Sequence, residues 1–170
     1  MKIPLNKKGI ELIKKRCETR VAGLLQIMAW EAARYLLDFG YHAFLGSGPN
    51  STNGPGWSYY YAANWNCSVG SIDRSVIMPE RDPFDEKSGA YAGDLGTKQD
   101  DLRRNPFTDA KVGDVLYVTN SVYYGKWLNE GGTEFLTHQN DSKPNRFMEL
   151  CEAYLRDKMS DFIRYVKEEK

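Results

Sequence analysis

The segment Val112–Phe135, VGDVLYVTNSVYYGKWLNEGGTEF, decides how this chain is read. Gly113-Asp114 is a turn pair. Val115-Leu116-Tyr117-Val118-Thr119 is β-branched and aromatic, which predicts a strand. Asn120-Ser121 breaks it. Tyr123-Tyr124 and Trp127-Leu128 then crowd large side chains together, and Asn129-Glu130-Gly131-Gly132 ends in a turn that glycine permits. The segment contains no nucleophile–base pair and no cluster of metal ligands. It suits a scaffold that holds a shape, so Tyr123, Tyr124, Trp127, Leu128 and Gly131 are candidate structural or interface residues.

Toward the C-terminus, Pro144 to the end predicts a helix, with Pro144 in the first turn or Asn145 as the cap. Its apolar stripe is Phe147, Leu150, Cys151, Tyr154, Leu155, Met159, Phe162, Ile163 and Val166. Toward the N-terminus, Trp57–Val69 alternates as a strand does. Trp57, Tyr59, Tyr61, Ala63, Trp65, Cys67 and Val69 share an apolar face, and a mostly polar face lies opposite, as in a sheet covered on one side. Ile72 to Met78 predicts another strand, and Leu95 to Leu102 a short helical pattern. Turn formers predict loops over about 41–56, 79–89 and 129–143.

Asn6 to Phe39 predicts one long helix, capped by Asn6 and closed by Gly40. Ile10, Ile13, Cys17, Val21, Leu24, Met28, Ala32, Tyr35 and Phe39 form its stripe. A second set, Leu12, Leu25, Ile27, Trp30 and Leu37, lies off that stripe. Either the domain covers the helix on more than one side or the extra face, Trp30 included, meets another subunit. The expected fold is α+β, with the two helices packed on a small antiparallel sheet, and 1–170 forms a single domain.

Lys and Arg together number 23, as do Asp and Glu, so the net charge is zero and a strongly basic nucleic-acid binder is disfavoured. Cys17, Cys67 and Cys151 are widely spaced and odd in number, which argues against a disulfide framework and for a reducing site of synthesis. The N-terminal residues carry no apolar leader-like run, and no stretch is apolar enough for a membrane span. The three Asn-X-Ser/Thr matches at Asn50, Asn66 and Asn140 are then expected to be chance.

Candidate chemistry is thin. His42 and His138 each lack a second ligand at metal-site spacing. A Cys67–His138 pair has no supporting local motif. Asp82, Asp85 and Glu86, and Asp100-Asp101, sit among Arg and Lys in polar stretches that suit solvated loops better than a magnesium site. Lys98 with Arg103-Arg104 suits a solvated basic turn better than a phosphate contact. The glycines of GSGPNSTNGPG lack the Lys-Ser/Thr of a phosphate loop and no strand precedes them. No catalytic residue, cofactor or metal is expected. The alternative is a small hydrolase using an aromatic surface of Trp57, Tyr59 and Trp65 with nearby carboxylates.

The order of segments resembles the tail-completion or neck proteins of tailed bacteriophages, which join head to tail. The residues that carry the likeness are Asn64-Trp65 at a strand entry, Leu116-Tyr117-Val118-Thr119-Asn120, Tyr123-Tyr124, Leu128-Asn129-Glu130-Gly131, and Pro144-Asn145-Arg146-Phe147-Met148 leading into a closing helix. GSGPNSTNGPG replaces the family's threonine-glycine turn, and the acid after the leucine comes one place late, at Glu130. The resemblance implies a non-enzymatic virion protein made in the host cytoplasm. It implies a cyclic homo-oligomer, hexamer or dodecamer, in the neck. Its partners would be the portal or head-completion protein and the tail or tail-tube protein. Genomic DNA would pass through the lumen without sequence-specific binding, and no membrane is involved.

Overall fold

The computed structural model describes residues 6–45, 63–76, 98–122, 129 and 146–168, with the side chains of 39–45 excepted. Helix α1 spans Lys7–Leu45. Strands β1 (Trp65–Val69) and β2 (Leu116–Asn120) pair antiparallel, and helix α2 (Phe147–Glu168) closes the order. The fold is α+β, two helices with a two-stranded sheet.

Helix α1 starts as its sequence predicts. Asn6 accepts the Gly9 amide on its side-chain Oδ1 at 3.1 Å and the Ile10 amide on its carbonyl. It does not stop at Gly40 but runs on to Leu45. Glycine permits a stop without imposing one, and its cost inside a helix is only about 1 kcal/mol. No proline or cluster of turn formers intervenes before Gly46. At roughly 1.5 Å per residue the 39-residue helix is about 58 Å long.

The two helices run antiparallel. Gly23 faces Val166, Glu31 bonds Tyr154, and the Cys151 thiol lies 4.0 Å from the Ala32 carbonyl. Tyr35 stacks on Tyr154 with ring centroids 4.7 Å apart. Phe147, Cys151 and Phe162 are the buried residues of α2. The predicted stripe is right in phase but wider than the buried surface, since Leu150 and Ile163 remain exposed.

The start of α2 is set from a distance. Arg146 precedes it at φ 49°, a left-handed conformation that costs an L-residue roughly 1–2 kcal/mol. Asn129 holds that turn. Its carbonyl accepts the Arg146 amide at 3.0 Å, and its side-chain oxygen accepts the Met148 amide at 3.1 Å. The cap of α2 therefore comes from 17 residues upstream of Arg146, out of the segment that opened the sequence analysis.

Among the described residues the sheet has two strands. Trp65 pairs with Asn120, Cys67 with Val118 and Val69 with Leu116. Asn120 does not break β2. It is the last paired residue, and its side chain accepts the Val122 amide to turn the chain afterwards. The turn at Gly113 (φ 100°) precedes β2 as predicted, with Asp114 accepting the Lys111 amide at 2.7 Å. Residues 72–76 are not a strand. They lie beside the sheet through side-chain bonds, from Thr119 to the Asp73 carbonyl and from Asn66 to the Ser75 carbonyl. That segment and Lys98, which donates to the Asn66 carboxamide at 3.1 Å, cover the face predicted to be polar and open, so Asn66 is buried. The short helical pattern near Leu102 is a single turn over 98–101. The loop predicted over 41–56 is helical to Leu45; its remainder, 57–62, the 79–89 loop and all of 129–143 except Asn129 lie outside the described residues.

One core joins these pieces: Ala33, Leu36 and Leu37 of α1, Trp65 of β1, Leu102, Val122, and Phe147 and Cys151 of α2. Trp65 meets Phe147 edge to face at 6.2 Å. Phe107, which no pattern in the sequence marks, is fully buried. Asn105 accepts its amide at 2.9 Å, and that turn drives the ring inward.

Removing the Asn129 cap therefore acts on α2. Asn129→Ala should lower the unfolding free energy by about 1 kcal/mol, and Asn129→Asp, which keeps the acceptor and adds a favourable charge at a helix N-terminus, should be neutral or better. Arg146→Val should be worse than Arg146→Asn, because a β-branched residue tolerates positive φ least. Urea denaturation of the four variants checks the order.

Candidate interface on the first helix

The apolar stripe of α1 keeps to one face because its spacing repeats every 11 residues, Ile10-Ile13-Cys17, Val21-Leu24-Met28, Ala32-Tyr35-Phe39. Such a repeat is close to the natural period of a straight helix. What covers that face changes along it. Tyr35 and Ala32 meet α2. Leu24 and Met28 are half-buried. Ile10 (49% exposed), Ile13 (64%), Val21 (46%) and Cys17 are open to solvent. Leu12 and Leu25 are exposed on other sides of the same stretch. Every residue from Glu11 to Val21 is exposed. The first 15 residues of α1 thus form an arm of about 22 Å that protrudes from the described body.

The arm is cationic. Lys7, Lys8, Lys14, Lys15, Arg16 and Arg20 stand against Glu11 and Glu18. On a helical wheel, Lys7 and Lys14 border one edge of the stripe and Arg16 and Arg20 the other. The only ion pair of the arm among the described residues, Lys14–Glu18 at 3.8 Å, is exposed and contributes little.

The middle of α1 is clamped inside the subunit. Gln26 donates to the carbonyls of Thr108 (3.1 Å) and Ala110 (2.7 Å), and the Trp30 indole donates to the Leu102 carbonyl at 2.7 Å. Arg34 lies over the Trp30 ring at 5.3 Å and pairs with Glu31 at 2.8 Å. The two readings of the off-stripe set are thus divided by position. Leu37 is buried and Ile27 and Trp30 are half-buried by the chain's own 102–110 segment, whereas Leu12 and Leu25 stay open.

Beside that clamp lies an open groove of about 700 Å³ between α1, the end of α2 and the 105–108 segment. Ile27, Trp30, Phe162 and Tyr165 give it an apolar lining, and Glu31, Asp161 and Glu168 add carboxylates against Arg164. Tyr154, which ties Glu31 to α2, has its hydroxyl pKa raised by burial and by its bond to Glu31.

Of the sequence candidates, Trp65 is only 4% exposed and serves the core, so it contributes no ring to an aromatic surface. Trp30 is a clamp residue. Tyr123, Tyr124, Trp127, Leu128 and Gly131, with Trp57, Tyr59 and His138, lie outside the described residues, as does the side chain of His42. Burial pushes the Cys67 and Cys151 thiols up to about 11, Cys67 despite the nearby Lys98 charge that pulls the other way. A thiol so placed is protonated at neutral pH and is a poor nucleophile. Among the described residues no group of three or more His, Cys, Asp or Glu could hold a metal ion, and no helix is long and apolar enough to cross a membrane. No family model, no curated protein and no solved structure matches the chain.

Two outcomes follow for the cysteines. Alkylation under native conditions should modify Cys17 alone, with Cys67 and Cys151 reacting only on unfolding, as peptide mass mapping would show. Stability should fall as pH rises from about 9 to about 11, because the unfolded thiols ionise there while the folded pair stays protonated. Replacing Cys67 and Cys151 by Ala should flatten that part of the pH–stability curve.

Proposed function

We propose that the chain is a non-enzymatic structural subunit of a tailed-phage particle, assembling with itself into a ring in the neck between head and tail. The observation that carries this reading is the arm. A helix that exposes Ile10, Ile13 and Val21 beyond the body it belongs to is a feature of proteins that bury such surface on assembly. The segment order supports that setting for the assembly. The long first helix, the strand entered at Asn64-Trp65, the strand ending at Asn120 and the closing helix follow the order of the neck proteins that the sequence resembles.

A ring requires a heterologous contact that closes on itself, one patch of each copy meeting a different patch of the next. The near-zero net charge is compatible with DNA sliding through a lumen, since a strongly basic channel would hold phosphates. Portal or head-completion protein on one side and tail or tail-tube protein on the other would be the neighbours, and the protein would reside in the virion.

Purified chain, kept in reductant, should give one discrete species of ring mass by mass photometry, or join a ring when its neck neighbours are added. Complementation of particle assembly tests the chemistry. Tyr124→Phe should support assembly because it keeps the ring system. A folded Tyr124→Phe protein that fails as completely as Tyr124→Ala would instead indicate a working hydroxyl and an enzyme.

A further inference from the structure

We infer that the cationic arm of α1 seats in the acidic groove of a second copy of the chain, beside that copy's α2 terminus. This deepens the ring reading and rests on it. The two surfaces are complementary in three respects. The arm offers a row of apolar side chains, Ile10, Ile13, Cys17 and Val21, left exposed. The groove offers the apolar lining of Ile27, Trp30 and Tyr165 in an open trough.

Charge is the second respect. The cations bordering the stripe would face Asp161 and Glu168 of the neighbour. Asp161 now engages Arg164 at 3.0 Å and Lys158 at 3.9 Å, both exposed pairs that exchange readily for a closer partner. Two arms packed against each other would instead set Lys14, Arg16 and Arg20 against their own copies, which like-charge repulsion opposes. The acidic groove of a second copy is therefore favoured over a symmetric arm pair. A membrane surface is disfavoured because the arm's part of the stripe, Ile10 to Val21, is narrow and lacks the aromatic residues of an interfacial helix.

Closure is the third. The arm lies at one end of the helix pair and the groove on its flank, so one contact joins two different patches, and head-to-tail repetition of it gives a ring where the rotation between copies closes.

Cross-linking tests the contact, using Cys17 as the native probe. Tyr165→Cys places a thiol in the groove, and the half-buried Cys67 and buried Cys151, both protonated, stay silent. Mild oxidation of Tyr165→Cys should give a ladder of linked copies on a non-reducing gel, abolished by adding Cys17→Ser, while the wild-type chain gives none. Reversing the arm with Lys14→Glu and Arg20→Glu, in a segment too exposed to affect folding, should weaken association by about tenfold or more. Pairing it with Asp161→Lys and Glu168→Lys subunits should restore mixed assemblies.

Wild-type dimers linked through Cys17 alone would mean that arms pair with arms, and would overturn the inference. A ring that persists with no ladder and with the reversed arm would overturn the arm-in-groove contact and leave the ring reading standing. Flotation of the chain with anionic vesicles, without cross-linking, would assign the arm to a lipid surface and overturn it too. A wild-type chain that stays single at every concentration, alone and with its neck neighbours, would overturn both.

Discussion

Everything described depends on the seam between α1 and α2, and on how short it is. It runs from Gly23 against Val166 to Tyr35 against Tyr154, closed by Cys151 under Ala32. Full burial of a large apolar side chain stabilises by about 1.5–3 kcal/mol, and the half-buried Tyr35, Tyr154 and Val166 gain a part of that. Yet α2 is about 33 Å long, and α1 nearly twice that. The remainder of α1 must be covered by something else or left bare. The 102–110 segment covers the middle through Gln26 and Trp30. Nothing among the described residues covers Glu11 to Val21.

The seam also explains why distant parts of the sequence matter to one another. Helix α2 can dock only if it starts in the right direction, and Asn129 sets that start by holding Arg146 in a left-handed turn. Phe147, the first residue of the helix, then reaches Trp65 of β1. A polar residue in the aromatic segment thus links the sheet, the turn and the second helix. Its role is positional, and it ties the start of the second helix to a residue nine positions after β2.

Elements governed by local periodicity were legible in the sequence. The cap at Asn6, the phase of both helices, the turn at Gly113 and the pairing segment around Val118 all follow from residue type and spacing. Features governed by tertiary contact were not. Gly40 suggested a stop that the helix ignores. Residues 72–76 have strand composition, but their carbonyls are taken by Thr119 and Asn66 side chains instead of a ladder. Burial of Phe107 and capping by Asn129 depend on partners far along the chain, which no window of sequence contains. The interface was half legible. The off-stripe residues flagged a second face, but only the structure separates Trp30, held inside, from Leu12 and Leu25, left outside. The stripe residues Ile10, Ile13 and Val21 read as core, and their exposure is what gives the arm its meaning.

The central claim is that the first turns of α1 are bare in a single subunit and covered in an assembly. Hydrogen–deuterium exchange on peptides spanning residues 10–21, compared between dilute subunit and the assembled species, addresses it directly. The account predicts rapid exchange in the subunit and strong protection in the assembly, with the α1 residues under α2 protected in both. Equal exchange of the arm in the two states would contradict it.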